Sequence, residues 1–491
     1  MSLPRAFTAL SGATAVSMAA QLIRGKLAAL LLGPAGVGVF NQLSLLWNLF
    51  QIGGALGTGN GIIQHGTEAI ASDDQPALRR LVSTSTVLLG AFSCLLAAVG
   101  VALSPAISSL LLHDGGKHSE LVALILLSIP FAVTAQIYRS LLSAARAVSQ
   151  LVRTQILADI GGAIVFVALI HPFGLRGAVL GFMAAHFILF VMNFFAARRV
   201  LGWTILRPRA SQISMSVVRS NLGFGASGLV MIALSNLSVM LVSTMVIGRF
   251  GLDSNGYFAN AWRIASVYLG SVTAATISYY LPTLTRCADD GDMAREVNST
   301  LRFYLLILPP LMAAIMTGAE LIVWLILSDR FQPVAPLLLV FVPAELVRII
   351  AETCSVPFLA RKRVIPFTLL FAGQATLFLA AAALFLPRLG LIGGAWAYAL
   401  SVSAAAVATY LACRRSFGLR LERSTALALL RASALLASVA YASWAWPFGV
   451  ERFVISGALI LTWALLNLRE PSTRALLSNA MARLKPSGAS R

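Results

Sequence analysis

Five basic side chains stand inside segments that are otherwise apolar enough to cross a lipid bilayer: Arg24, Lys26, Arg139, Arg263 and Arg348. Four acidic side chains share this setting: Asp159, Glu320, Glu345 and Glu352. A cation near the centre of a bilayer costs about 2.5–3.5 kcal/mol on insertion scales. A protein that keeps several of them is expected to line a polar cavity with them and to bind an anion there.

The basic residues differ in how well they fit such a cavity. Arg24 and Lys26 lie two positions apart, about 200° around a helix, so both cannot point squarely into one cavity. Arg263 follows Trp262 about two turns into its segment, and Arg24 and Arg263 are the strongest candidates for ligand contacts. Arg139 lies near the end of its segment and could instead extend towards the membrane surface.

Arg348 has acidic neighbours on its own helical face, Glu345 three positions before it and Glu352 four positions after it. Two interpretations stay open, a ligand contact or a cluster that neutralises itself. Together with Asp159, these glutamates are also candidates for ion coupling, because an embedded carboxylate is a functional candidate by default. The pattern assigns no role to Glu320.

Three asparagines in the second apolar segment could hydrogen-bond to sugars: Asn41, Asn48 and Asn60. Helix packing explains each of them at least as well, since polar side chains also join helices inside a membrane.

The composition requires that these residues be positioned by membrane-spanning helices. The chain has 491 residues, of which 58% are hydrophobic and 11% charged, against about 25% charged residues in soluble domains. Its mean hydropathy is +0.85. The four cysteines are far apart and form no metal-ligand spacing, and we expect neither a metal nor a cofactor.

Apolar length and loop signals predict an all-α polytopic protein of about fourteen transmembrane helices. The first apolar stretch is too long and too polar for a signal peptide, so we expect it to be retained. The predicted spans are 7–32, 36–63, 81–112, 121–145, 151–171, 174–197, 217–248, 255–283, 300–327, 334–360, 364–386, 390–413, 425–446 and 451–468. A turn around Pro105 would interrupt the third.

Loop charges predict the orientation. Alternate loops, counted from the N-terminus, hold 26 lysines and arginines, and the other set holds six, Lys117, Arg176, Arg249, Arg330, Arg388 and Arg452. This positive-inside bias places both termini in the cytoplasm. It also accounts for most of the net charge of +19 without nucleic-acid binding.

Short motifs recur at offsets of 215 or 216 residues, in the same order. The pairs are Gly33–Gly36 and Gly248–Gly251, Leu112–Asp114 and Leu327–Asp329, Ala145–Arg146 and Ala360–Arg361, Gly174–Gly177 and Gly390–Gly393, and Arg198–Arg199 and Arg414–Arg415. They indicate a tandem duplication of a six-helix unit. An even number of spans gives both copies the same orientation, so two parallel lobes with a substrate site between them near the midplane are expected.

The predicted domains follow from this repeat. They are an N-terminal lobe at 1–199, a cytoplasmic linker at 200–216, a C-terminal lobe at 217–415, an additional helix pair at 425–468 and a cytoplasmic tail at 469–491. The embedded cations do not recur: the counterpart of Arg24 is Val239, and that of Arg263 is Asn48. We therefore attribute the duplicated features to the scaffold and the unduplicated ones to the ligand.

The segments LIRGKLAALLLGPAGVGVFNQ and GTGNGIIQHGTEA resemble the start of bacterial oligosaccharide flippases of the O-antigen and enterobacterial-common-antigen type. These Wzx-like proteins belong to the multidrug/oligosaccharidyl-lipid/polysaccharide exporter superfamily, and the resemblance covers roughly residues 1–415. It implies two six-helix lobes that move undecaprenyl-pyrophosphate-linked saccharides to the periplasmic leaflet of the inner membrane by alternating access. Related lipid II flippases carry cavity arginines in the first and eighth helices, which here hold Arg24, Lys26 and Arg263.

The resemblance also implies partners and leaves alternatives. The expected partners are the lipid-linked saccharide, membrane lipids and the polymerase and export machinery of a surface polysaccharide. No catalytic residue is expected, and no nucleotide motif points to ATP as a direct driver. Alternatives are a drug or cation antiporter on the same scaffold, a peptidoglycan lipid II flippase, and a membrane glycosyltransferase or polymerase. A membrane glycosyltransferase or polymerase would need a long loop or a soluble domain.

Overall fold

Helices make up the described regular structure of the chain. The computed structural model describes residues 3–268 and 280–470, and their side chains except those of residues 3–11, 13–15, 210, 218, 220–228, 267 and 268. The helices of the first half are α1 Leu3–Ala55, α2 Gly59–Ala71, α3 Gln75–Thr84, α4 Gly90–Ala102, α5 Ser104–Leu112, α6 Ser119–Leu127, α7 Ile129–Ala144, α8 Val148–Leu201, α9 Trp203–Leu206 and α10 Met215–Trp262. Those of the second half are α11 Asp290–Thr317, α12 Ala319–Ile326, α13 Val334–Ala360, α14 Val364–Leu389, α15 Ile392–Phe417, α16 Arg423–Ala445 and α17 Val450–Leu468.

The predicted helical membrane fold is confirmed. Among the described residues, eleven helical segments are long and apolar enough to cross a membrane. Three of them break at a glycine, and two of these, Val16–Ala71 and Val148–Leu201, are long enough to cross twice. Part of the predicted span 255–283 lies outside the described residues. The predicted span 300–327 is instead two helices, α11 and α12, which meet at Gly318.

The glycines of the repeated motifs interrupt the long helices. Helix α1 breaks at Gly33 (φ 67°), α8 at Gly174 (φ 53°) and α10 at Gly251 (φ 83°), all in the left-handed region that only glycine enters freely. Gly390, the counterpart of Gly174, has φ 70° and follows α14. Each turn reverses the direction of an apolar chain with very few residues.

A second glycine in the duplicated turn allows close contact of two helices. A Cβ atom added to Gly177 would lie 1.9 Å from the carbonyl oxygen of Leu169, and one added to Gly393 would lie 2.4 Å from that of Phe385. The two contacts are again 216 residues apart. The same backbone approach therefore occurs in both halves of the chain.

The duplicated Ala-Arg motif also marks a turn, with a shift of register. Arg146 (φ 53°), between α7 and α8, corresponds in conformation to Lys362 (φ 57°), between α13 and α14. In both turns the amide of the next residue donates back to a helical carbonyl, Ala147 to Leu142 at 3.0 Å and Arg363 to Phe358 at 2.7 Å. The backbone thus equates Arg146 with Lys362, whereas the sequence motif pairs it with Arg361.

Two further interruptions lie in the first half. After α1, Leu56 (φ 49°) and Gly57 (φ 65°) turn the chain before α2. The chain breaks again at Leu103, and Pro105 occupies the first turn of α5, so the predicted interfacial turn is present.

The turn after α5 is fixed by one carboxylate. Asp114 accepts hydrogen bonds from the Ser108 hydroxyl (2.9 Å) and from the amides of Gly116 (2.9 Å) and His118 (2.8 Å), and its carboxylate meets the His118 ring at 2.7 Å. Burial raises the pKa of Asp114, but the His118 side chain and the other hydrogen bonds outweigh it, so the pKa lies below its usual value. Asp329, the counterpart of Asp114, begins a short 3₁₀ turn.

The contacts divide the chain into two compact units. Unit 1 comprises Met1–Ala259 with Ile326–Arg330, and unit 2 comprises Asn260–Leu325 with Phe331–Arg491. Most of α10 belongs to unit 1, where Gly256 lies against the Pro34 carbonyl and the Asn255 amide donates to the Gly38 carbonyl at 2.9 Å. The lobe boundaries drawn from the repeat stay a prediction.

The C-terminal helix pair is a packed part of unit 2. Helix α16 packs on α11 and α17. At its start, the Asn298 side chain of α11 donates to the Arg420 carbonyl at 2.9 Å and accepts from the Glu422 amide at 3.0 Å. These bonds fasten the segment before α16 to the unit.

Candidate functional site

A charged cluster in unit 1 joins the first part of α1 to the first part of α8. Asp159 accepts a short hydrogen bond from the Ser17 hydroxyl and another, of 2.9 Å, from the Gln155 amide. Arg24, half-buried in α1, interacts electrostatically with the same carboxylate. The structure therefore brings together Arg24 and Asp159, a predicted ligand contact and a predicted coupling residue that lie far apart in the sequence.

Arg139 extends this cluster to a third helix. Its Nη1 atom donates to Gln155 Oε1 at 2.5 Å, although the side chain as a whole is exposed. Gln155 consequently has both ends of its amide engaged, with the oxygen on Arg139 and the nitrogen on Asp159. The line Arg139–Gln155–Asp159–Ser17 links α7, α8 and α1, and we call these four residues with Arg24 the α1–α8 cluster.

Aromatic rings stand beside this cluster. The His186 ring lies 4.2 Å from Trp47 and 4.5 Å from Phe182, between ring centroids, and interacts electrostatically with both Arg24 and Asp159. His186 Nδ1 donates to the Phe182 carbonyl at 2.9 Å, since a carbonyl can only accept. The indole N–H of Trp47 donates to the Ser128 hydroxyl at 2.8 Å, which fixes the ring.

Sequence reasoning missed Ser17, Gln155 and His186 as members of this site. Gln155 and His186 carried a usable signal, because each is a polar residue inside an apolar span and Gln155 stands four positions before Asp159 on the same helical face. Ser17 carried none, since serine is common inside membrane helices.

The remaining predicted residues of unit 1 lie on α1 and α2. Lys26, Asn41 and Asn48 are half-buried in α1, and Asn60 is exposed in the first turn of α2. Their participation in ligand binding stays a prediction.

A second charged cluster lies in unit 2, where α13 meets α15. Arg348 Nε contacts Glu345 Oε2 at 2.6 Å, and the same guanidinium forms a short ion pair with Glu352. The Tyr398 hydroxyl donates to the other oxygen of Glu345 at 2.5 Å. Glu345 has no exposed surface. Of the two interpretations of Arg348, the geometry favours the internal ion pairs.

Arg263 enters unit 2 beside an aromatic group. The Trp262 ring lies 4.6 Å from Tyr398 and 5.9 Å from Phe378, between centroids. Arg263, half-buried, opens a π-helical turn, Arg263–Tyr268, which follows α10 and packs against α13. Such turns occur often at functional sites, but a ligand contact of Arg263 stays a prediction.

A third charged pair fastens the C-terminal helices and corrects the loop analysis. Arg452, predicted to be a loop residue, is 1% exposed and contacts Glu320 at 2.8 Å, while its guanidinium also donates to the Met316 carbonyl at 3.1 Å. Glu320, which had no assigned role, is thus the counter-ion that joins α12 to α17. The sequence could not pair them, because 132 residues separate them.

An apolar groove runs along the other face of the α1–α8 contact. It has a volume of about 600 Å³ and is lined by Val16, Ala19, Ala20, Ile23, Ile160, Ala163, Ile164, Val167 and Ala168. Positions 16, 19, 20 and 23 form one stripe of α1, and Ser17 and Arg24 form the adjacent stripe. The same two helices therefore carry a charged cluster and, next to it, an apolar groove.

The comparisons with known proteins agree with this architecture. The family described as "Polysaccharide biosynthesis protein" matches residues 27–336. The chain is similar to the lipid III flippases of Escherichia coli K12 and Shigella flexneri, each 26% identical over 410 residues that cover 81% of this chain and 95% of the relative.

Solved structures show the same fold at low sequence identity. The lipid II flippase MurJ in an inward closed conformation aligns with a TM-score of 0.74 and 13% identity, covering 94% of this chain and 98% of MurJ. An inward-facing multidrug resistance transporter of the MATE family aligns with a TM-score of 0.70 and 16% identity, covering 84% of this chain and 98% of the transporter.

Proposed function

Because the chain belongs to the polysaccharide biosynthesis protein family, we propose that it is a flippase for undecaprenyl-pyrophosphate-linked oligosaccharide. It moves this lipid from the cytoplasmic to the periplasmic leaflet of a bacterial inner membrane, for the synthesis of a surface polysaccharide. The similarity to two lipid III flippases over most of both chains supports this proposal.

The observation that carries the proposal is the α1–α8 cluster. It offers the Arg24 guanidinium, a hydroxyl and an amide around one carboxylate, and the Arg139 guanidinium on the far side of that amide, inside helices long and apolar enough to cross a membrane. Pyrophosphate oxygens accept charge-assisted hydrogen bonds from such donors. A charged head group cannot enter hydrocarbon alone, because it would lose its hydration; the cluster replaces part of that water.

The rings beside the cluster suit the saccharide. Trp47, Phe182 and His186 lie within a few ångströms of one another. Trp47 is buried, whereas Phe182 and His186 are partly exposed, and the apolar faces of sugar rings pack well on aromatic side chains. We place the first sugar of the substrate against the partly exposed Phe182 and His186, next to the pyrophosphate on Arg24.

The groove beside the cluster suits the lipid tail. Its lining is aliphatic, four of the nine lining residues are alanines, and it lies on the two helices that hold the charges. An isoprenoid chain attached to a phosphate at Arg24 could therefore lie along Ala20 and Ala163 while its far end stays in the bilayer. Each methylene group that is buried there contributes about 0.8 kcal/mol.

Filling the groove tests this placement. We expect Ala163→Trp to lower transport at least about tenfold, because the indole ring would fill the groove. Tenfold corresponds to about 1.4 kcal/mol, which is less than the free energy contributed by two buried methylene groups. Leu157→Trp is the matched control, since Leu157 lies on the same helix, is exposed and does not line the groove. Equal transport by the two variants, at equal protein levels, would show that the lipid tail does not lie in this groove.

Transport needs no covalent chemistry in this account. Alternating access exposes the bound head group first to the cytoplasm and then to the periplasm, and the tail remains in lipid throughout. Both termini lie in the cytoplasm, and polymerisation of the delivered repeat units follows on the periplasmic side. A membrane potential, an ion gradient or consumption of the product drives the direction.

Two other functions on the same scaffold are tested by the same experiment. A peptidoglycan lipid II flippase would share the cationic cluster, and the fold of MurJ is similar. A cation antiporter would rely on carboxylates, and the unit 2 cluster, with Glu345 and Glu352 around Arg348, is the observation in its favour.

Deletion of the gene, followed by mass spectrometry of polyprenyl-linked lipids, separates the three. We expect a pyrophosphate-linked oligosaccharide to accumulate, and its mass would give the repeat unit. Accumulation of a peptidoglycan precursor would indicate the lipid II flippase. An unchanged lipid profile with new sensitivity to cationic drugs would indicate the antiporter.

A further inference from the structure

Asp159 is an acidic group at the centre of a site that should attract an anion. Its carboxylate accepts from Ser17 on α1 and from Gln155 on its own helix, and it interacts electrostatically with Arg24. Its partners are thus a hydroxyl, an amide and a guanidinium. A phosphate oxygen bound here would use the same three kinds of donor.

We propose that Asp159 is a resident competing anion, which occupies the donors of the site until the pyrophosphate of the substrate displaces it. This inference rests on the proposed function, because it needs an anionic substrate at Arg24. Asp159 is then a counter-ion of Arg24 that the pyrophosphate replaces. This role differs from the ion coupling that its position in the sequence suggests.

Arg24 needs a counter-ion before the substrate binds. A guanidinium inside a membrane is costly when it has no counter-ion, and removing one partner of a buried pair leaves an uncompensated charge. Asp159 compensates Arg24 while no substrate is bound. When the pyrophosphate arrives, it brings its own negative charge, so Arg24 no longer needs Asp159.

Displacement of Asp159 would also loosen a connection between helices. Ser17 ties α1 to α8 through Asp159, and Arg139 ties α7 to α8 through Gln155. Because Gln155 donates to Asp159 with its nitrogen and accepts from Arg139 with its oxygen, a movement of the carboxylate changes both links. Occupation of the site is thereby coupled to the packing of three helices.

The inference predicts opposite effects on binding and on transport. In Asp159→Asn the side chain keeps its size and its ability to accept from Ser17 and Gln155, but loses the charge that competes with phosphate. We expect undecaprenyl pyrophosphate, measured by native mass spectrometry of the purified protein, to bind about tenfold more tightly, which corresponds to about 1.4 kcal/mol. Transport should become slower, because the anion that expels the product is gone.

Three variants control this measurement. Asp159→Glu keeps the charge and should bind undecaprenyl pyrophosphate within about twofold of the natural protein, since twofold lies within about 0.4 kcal/mol. Glu352→Gln removes an embedded negative charge that pairs with Arg348 in unit 2, and should leave the affinity unchanged. The double variant Arg24→Gln/Asp159→Asn should lose the gain, because the guanidinium that Asp159 neutralises is no longer there for the phosphate to contact.

The outcomes separate this inference from the proposed function. Tighter binding by Asp159→Asn, with none by Glu352→Gln, supports the competing anion. Unchanged or weaker binding by a folded Asp159→Asn, while Arg24→Gln still weakens binding, overturns the inference and leaves the flippase intact. No binding by the natural protein, and no effect of Arg24→Gln, would overturn the proposed function itself.

Discussion

At the scale of single residues, each of the four acidic groups inside the membrane helices has a basic partner within the protein. Glu345 and Glu352 hold Arg348, Glu320 holds Arg452, and Asp159 faces Arg24. The first two arrangements are tight ion pairs that fix helices to one another. Among the described clusters, only the α1–α8 cluster has two guanidinium groups together with adjacent aromatic rings. We therefore place the substrate there.

Glu345 is expected to be a stability residue. It is fully buried, contacts Arg348 at 2.6 Å and accepts from Tyr398 at 2.5 Å. Glu345→Gln should lower the free energy of unfolding by about 3 kcal/mol, because it breaks a buried ion pair by removing one partner. Glu352→Gln, at a half-exposed position, should cost less. Thermal unfolding in detergent measures both, and equal stability of the two variants would contradict the assignment.

The sequence could predict some of these pairs and not others. Arg348 and its two glutamates were predictable, because helical spacing alone places them together. The approach of Asp159 to Arg24 depends on how α1 and α8 pack, and no local spacing carries that information. Arg452 was misplaced in a loop because it stands in the first turn of α17, where an apolar pattern has barely begun.

At the scale of elements, glycine positions decide how the long helices are divided and joined. Gly33, Gly174 and Gly251 supply left-handed turns, and Gly177 and Gly393 permit backbone contact. The constant offset of the repeated motifs singled out these positions in the sequence. It could not distinguish a glycine required for its φ angle from one required for space, since that depends on the neighbouring carbonyl.

The two kinds of glycine should respond differently to substitution. Gly177→Ala would place a Cβ atom 1.9 Å from the Leu169 carbonyl oxygen, whereas Gly174→Ala meets no atom within 4 Å and only strains a left-handed residue. We expect Gly174→Ala to cost about 1 kcal/mol and Gly177→Ala clearly more, since the backbone must move. Thermal unfolding of both variants tests this order, and the reverse order would show that space is not limiting at Gly177.

The Arg452–Glu320 pair should anchor the C-terminal helices. Arg452→Met leaves Glu320 without its counter-ion and should destabilise the protein by about 3–5 kcal/mol. The double variant Arg452→Met/Glu320→Gln should recover much of this loss, because no charge remains unpaired. Arg176→Met breaks an exposed ion pair with Glu120 and should cost about 0–1 kcal/mol. A double variant no more stable than Arg452→Met would argue against anchoring by charge.

At the scale of the whole molecule, hydropathy and repeats were sufficient for the fold class, an all-helical membrane protein. Both the hydropathy signal and the repeat signal are summed over many residues, so a misread single position changes the prediction little. The division of contacts between Ala259 and Asn260 was not foreseen, since the packing of α10 with the first half depends on close backbone contacts at Gly38 and Gly256. The orientation rests on the bias of loop charges and awaits a measurement of which side each loop faces.

The central claim is that this protein moves a lipid-linked pyrophosphate across the membrane by means of Arg24. The most direct test is transport of undecaprenyl-pyrophosphate-linked oligosaccharide in proteoliposomes, comparing the natural protein with Arg24→Gln and with Arg176→Gln as the control. We predict rapid transport by the natural protein and the control, and at least about a tenfold loss for Arg24→Gln, since hydrogen bonds to charged groups contribute about 1.5–3 kcal/mol. Equal transport by the natural protein and Arg24→Gln, or none above protein-free vesicles, would contradict the account.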